Sequence, residues 1–335
     1  MADKKRNHKR IVTGSLTAVT AGIAAAGGLT YVLKRFYEDV FTASGKGGAH
    51  PDRTYQVSMQ NEHRDEILKM IAALAQRPHE SVSITSSDGL KLTGRLYFAS
   101  DSEETRPCII GCHGYKSAAL RDFYGVAPML LDKGLNVLLI DERGQGPSEG
   151  DAMTFGVREA EDIVLWAEAM AERFSPETPL CLYGISMGAS AVLLAADPAR
   201  RLPKQVKAVV ADCPFTSAEA IMREVIRANG QSEELTYRLT EASARLFARI
   251  DLKKADVRRA VTRTSLPILL IHGEDDRFVP CDMGREIAAA NPAMVELHTF
   301  PDAGHGLSFL IDRERYERIA RAFFERVLHT EDVSA

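Results

Sequence analysis

The chain has 335 residues, of which 45% are hydrophobic and 26% charged, the makeup of a globular protein with a substantial core. A formal net charge of −4 gives no basic face for nucleic acid, and no cysteine–histidine spacing suited to zinc occurs, so neither a nucleic-acid partner nor a metal or cofactor is expected. Cys108, Cys112, Cys181, Cys213 and Cys281 are odd in number and mostly lie inside apolar runs, as small core residues do, rather than in a disulfide framework.

The N-terminus differs from the rest. Lys4, Lys5, Arg6, Lys9 and Arg10 precede residues 11–33, which carry no charge before Lys34 and Arg35. As a helix rising about 1.5 Å per residue, that stretch reaches across a hydrocarbon core of about 30 Å, although its Gly, Ala and Thr content makes the span marginal. Residues 1–35 are read as an uncleaved single-pass signal anchor, with the basic end cytoplasmic and the bulk of the chain outside. Two readings compete with it: a signal peptide cleaved after Ala24 and Ala26, giving a secreted protein, and a soluble or surface-lying helix on a cytoplasmic one.

Residues 36–79 follow as a linker, aperiodic from Phe36 to about Pro51. It ends in an amphipathic helix over about 62–75, where Ile67, Leu68, Ile71, Ala72 and Leu74 recur at helical spacing.

After residue 80, short β-prone runs alternate with helical ones, which predicts a mostly parallel sheet covered on both faces. Residues 81–86 and 91–99, joined through Asp88-Gly89, form a leading hairpin. Strands are expected over 107–112, 136–141, 180–183, 206–212, 268–272 and 295–300, with helices such as 158–173 and 283–290 between them. Residues 216–265 break the rhythm with helical runs at 218–227 and 234–250. An insertion there, over the carboxyl ends of the strands, acts as a cap on a core of residues 80–215 and 266–330.

Gly184-Ile185-Ser186-Met187-Gly188 follows an apolar strand and precedes the small-residue helix 189–196. A serine on so sharp a turn needs glycines two residues to either side for backbone room, and that setting marks Ser186 as a nucleophile. Serine needs a base, and His305, in Asp302-Ala303-Gly304-His305-Gly306 after the last strand, is on the same side of the sheet. The base needs a carboxylate to hold its tautomer, and Glu274, Asp275 and Asp276 compete for that role after the strand 268–272. The order Ser, Asp, His suits a hydrolase of the nucleophile-elbow class. The N–H of Met187, the residue after the nucleophile, is one expected oxyanion donor.

With these motifs in this order, residues 80–330 resemble the α/β-hydrolases. More narrowly, they are similar to the bacterial, N-terminally anchored, YqkD-type branch grouped with the serine aminopeptidase-like hydrolases. The resemblance implies an eight-stranded α/β-hydrolase sheet with a short helical cap after the sixth strand. It aligns Gly273-Glu274-Asp275-Asp276-Arg277-Phe278-Val279-Pro280 with the family's acid turn, which selects Asp276; Asp212 is the rival, because some members place the acid there. Gly111-Cys112-His113-Gly114-Tyr115 matches the family's His-Gly turn, so Tyr115 N–H is the second oxyanion donor and His113 shapes the loop. Asp141-Glu142-Arg143-Gly144 matches a further pattern, in which Arg143 braces its loop rather than touching substrate.

The activity this implies is acyl transfer to water through an acyl-enzyme, on a small-molecule ester, helped by apolar cap positions Ile221, Val225, Ile226, Leu239, Leu246 and Phe247. Peptide and thioester cleavage use the same apparatus, and a non-catalytic binding protein of this fold is the reading from another class.

Overall fold

The computed structural model describes residues 27–43, 63–99 and 106–328. Eight strands form one sheet: β1 Glu80–Thr85, β2 Lys91–Tyr97, β3 Cys108–Cys112, β4 Asn136–Ile140, β5 Leu180–Ile185, β6 Val206–Asp212, β7 Ile268–Gly273 and β8 Val295–Phe300. Their order across the sheet is β1-β2-β4-β3-β5-β6-β7-β8. β1 and β2 pair antiparallel, as do β2 and β4, and every other pairing is parallel.

The apolar runs of β3, β4, β5 and β7 are buried at every residue, as strands covered on both faces must be. Alternation then sorts the side chains: Cys108, Ile110 and Cys112 pack into the core on one face, and Ile109 into the core on the other. All five cysteines are buried and free. One face carries the helices Glu159–Arg173, Met187–Ala195 and Cys281–Ala290, and the other carries Arg64–Gln76, Val126–Asp132 and Arg313–Leu328.

Between β6 and β7 the described chain is helical, with Ala218–Ala228 and Glu233–Ser243 followed by short turns and Val257–Val261. Ser217 caps the first of these helices by accepting the Ala220 N–H at 3.1 Å. The regular helix expected over 234–250 stops at Ser243, and residues Ala244–Ala248 continue as a π-turn ending at Arg249 with φ 55°.

The linker assignment of Phe36 onward needs correction. Residues 27–41 are one helix, in which Leu33, Tyr37 and Phe41 are buried at successive turns, Tyr37 and Phe41 against the main core. That i, i+4, i+8 spacing was readable, but the surrounding Tyr, Glu, Asp and Val masked it. Residues 1–26, which hold most of the anchor reading, lie outside the described residues, as do 44–62. No described helix is long and apolar enough to cross a membrane.

Candidate active site

Ser186 joins β5 to the helix Met187–Ala195 at φ 58°, a backbone region that favours glycine. Its N–H donates to the Asp212 carbonyl at 2.8 Å, and its carbonyl accepts from Ser190 N–H at 3.0 Å, which hold the strained turn in place. The flanking glycines are obligatory. A Cβ on Gly184 would stand 2.2 Å from the Gly188 carbonyl oxygen, and one on Gly188 would stand 2.2 Å from that of Cys112.

His305 follows β8, and its Nε2 lies 2.8 Å from Ser186 Oγ. Its Nδ1 lies 2.6 Å from Asp276 Oδ2. With Asp276 ionised, Nδ1 carries the proton and Nε2 is left to accept from the serine hydroxyl. The other oxygen of Asp276 accepts the N–H groups of Phe278 and Val279 at 2.9 and 2.8 Å, so the turn fixes its own carboxylate. The Phe278 ring stands edge-on to His305, centroids 5.1 Å apart.

Burial alone would raise the Asp276 carboxyl, but the His305 charge and hydrogen bonds from His272 and His305 outweigh it and hold the pKa at about 2. For His305, burial favours the neutral ring, yet Asp276 prevails and raises the pKa above the ordinary imidazole value. Glu274 and Asp275, the competing carboxylates, point to solvent. Asp212 is buried, but its partner is Tyr316, whose O–H donates to Oδ2 at 2.9 Å.

His113 is fully buried, with Nδ1 donating to the Gly114 carbonyl at 2.9 Å and Nε2 accepting Glu142 N–H at 3.1 Å. Both nitrogens are committed to the backbone, so the ring shapes the loop. The Gly114 turn packs on the elbow: a Cβ there would lie 3.2 Å from Ser186 Cβ. Tyr115 therefore borders the same cavity as Ser186 and Met187. The Met187 N–H, first in its helix, has no intrahelical acceptor.

That cavity, of about 370 Å³, is walled mainly by apolar side chains, among them Phe155, Phe215, Ile221, Val225 and Ile226. Of the expected cap positions, Leu239, Leu246 and Phe247 are not in its wall: Leu246 is exposed, and Phe247 packs on Tyr37. Arg143 is buried away from it, donating to both oxygens of Asp162 at 2.6 and 2.7 Å and to Asp88 at 3.1 and 3.2 Å.

Three further residues carried no motif. Asp122 accepts the Gly114 N–H at 2.7 Å and so sets the turn before Tyr115. His272 donates to the Val279 carbonyl at 2.9 Å, with Asp276 Oδ2 at 3.4 Å. Cys213, at φ 50°, places Sγ 4.0 Å from His305 Nε2. Cys213, Asp276 and His305 form the one cluster with metal-ligand potential among the described residues. Burial pushes the thiol pKa well up, and both ring nitrogens of His305 are already engaged, so this donor set suits proton transfer better than a cation.

The family described as serine aminopeptidase, S33, matches residues 103–250. The YqkD protein of Bacillus subtilis is 25% identical over 252 residues, covering 73% of this chain and 78% of that one. The fold matches an esterase of Pyrococcus furiosus, Pf2001, with a TM-score of 0.60 at 23% identity over 75% of this chain and 94% of the other. The chain has the α/β-hydrolase fold. A lysophosphatidylserine lipase of Danio rerio, ABHD12, is also similar to this chain, 27% identical over 200 residues that cover 57% of this chain and 49% of the lipase.

Proposed function

We propose that this hydrolase cleaves carboxylic esters through an acyl-enzyme on Ser186, and the observation that carries this reading is the hydrogen-bonded run Ser186–His305–Asp276 at 2.8 and 2.6 Å. His305 Nε2 takes the hydroxyl proton as Oγ attacks the acyl carbonyl, and the N–H groups of Tyr115 and Met187 bind the oxyanion. The same Nε2 returns the proton to the leaving alcohol. It then deprotonates the water that releases the acid and restores Ser186. Asp276 keeps the proton on Nδ1 and stabilises the imidazolium throughout.

The largely apolar cavity favours an ester over an aminoacyl substrate, whose charged amine would want a lone carboxylate. Arg35 and Asp39, on the cavity wall, pair with each other at 3.8 Å. Peptide cleavage is the second reading, supported by the description of the matching family. Short acyl esters and aminoacyl arylamides, assayed side by side, separate the two. Ser186→Ala is expected to lower ester turnover about 10⁴-fold or more with the fold intact; parent-level turnover of a p-nitrophenyl ester would sink the assignment. Labelling of Ser186 by a fluorophosphonate distinguishes an enzyme from a binding protein of the same fold.

The uncharged residues 11–26 behind a basic cluster support attachment to a membrane with the hydrolase domain on the outer side, while residues 27–33 belong to the helix packed on that domain. Digestion of intact cells by external protease tests it: residues 50–335 found shielded would reverse the orientation.

A further inference from the structure

The helix 27–41 has two working faces. Leu33, Tyr37 and Phe41 are buried, with Phe41 edge-on to Phe155 at 5.7 Å. The adjacent stripe, Tyr31, Val32, Phe36 and Val40, flanked by the Arg35–Asp39 pair, lines the same cavity as Ser186, Ile221 and Val225. Its end is held by the active-site loops. The Val40 carbonyl accepts the Tyr115 O–H at 2.6 Å, that of Asp39 accepts Lys116 Nζ at 2.9 Å, and that of Phe41 accepts Met153 N–H at 2.7 Å.

The last carbonyls of a helix lack intrahelical donors and carry partial negative charge, so a lysine and a phenol are apt partners. Here those partners belong to the residue whose N–H is assigned to the oxyanion and to its neighbour. Tyr31 and Val32, at the outer end of the lining, are exposed, so the channel opens between these apolar side chains and Arg35.

Resting on the Ser186 reading, we infer that the helix 27–41 completes the substrate site, walling a channel for one extended, unbranched acyl chain and holding the Tyr115 loop in place. The helix 27–41 lies outside the stretch that matches the family.

The test uses the full chain in detergent with p-nitrophenyl esters from acetyl to palmitoyl. The parent is expected to prefer decanoyl over acetyl in kcat/KM. Val32→Trp, at a position 39% exposed and so tolerant of bulk, is expected to lower the decanoyl-to-acetyl ratio about tenfold. Phe36→Ala, which widens the wall, is expected to move the optimum to longer chains. Tyr115→Phe keeps the N–H and the ring but drops the tie to Val40, and should lower kcat about tenfold at every chain length with little change in KM.

A parent that prefers acetyl, or ratios unchanged in both wall variants, overturns the channel. Full kcat in Tyr115→Phe overturns the hold on the loop. A parent that neither turns over esters nor takes a fluorophosphonate at Ser186 overturns the serine reading and this inference with it, whereas a labelled parent with unmoved ratios overturns this inference alone.

Discussion

Asp276 follows β7, Asp212 ends the neighbouring parallel strand β6, and both are buried at the end of the sheet where Ser186 sits. They differ in what reaches them. Asp276 collects two backbone N–H groups and the His305 ring, with His272 beside it, and ionises with a pKa of about 2. Asp212 has Tyr316 on one oxygen and no hydrogen-bond partner on the other, and desolvation lifts its pKa to about 6. Two acids of one type and near-equal burial thus differ in what offsets their desolvation. The charge and hydrogen bonds of His305 and His272 outweigh it at Asp276, while at Asp212 the Tyr316 hydroxyl and the more distant histidines do not.

The sharpest way to break this contrast is Asp276→Asn, expected to lower kcat about 10⁴-fold because the amide no longer holds Nδ1–H toward itself. A loss under tenfold would move the acid's role to Asp212. The pH profile comes next. His305 must be neutral to accept a proton, so kcat/KM should fall as pH drops through a midpoint above about 6.5, the ordinary imidazole value. In Asp276→Asn that midpoint should move down.

The smallest effect belongs to Asp212→Asn, with kcat expected within tenfold of the parent. The folded Asp212 binds its proton more tightly than the unfolded one. It therefore adds stability as pH falls from about 6 toward 3.8 and costs stability above 6. The variant should gain about 2–4 °C in melting temperature at pH 8, roughly 1 kcal/mol, about half that at pH 5 and little below about pH 4. An equal gain at all three values would show that Asp212 does not titrate in that window.

Most strands and the elbow were legible because they obey short-range rules. Residues 137–140 and 268–271 are uninterrupted apolar runs, and the glycines around Ser186 mark a turn with no room for side chains. Asp276 could be singled out from Asp275 only by the resemblance, since the donors that decide between them appear once the turn is folded. Asp122 was illegible because it lies eight residues beyond Gly114 in a polar stretch without period. The tie between Tyr115 and Val40 spans 75 residues, which no local pattern signals. The helices between β6 and β7 were visible as periodicity, but which of their apolar faces meets the cavity depends on where the helix 27–41 lies.

That helix also constrains how the chain can vary. Its core-facing and cavity-facing stripes are one residue apart in sequence, Leu33 beside Val32 and Tyr37 beside Phe36. Losing or gaining one residue between Val32 and Phe41 would rotate everything upstream by about 100°, moving the upstream residues off their faces while the end at Val40 stayed tied. Related sequences should therefore tolerate substitutions along this helix far more readily than any change in its length.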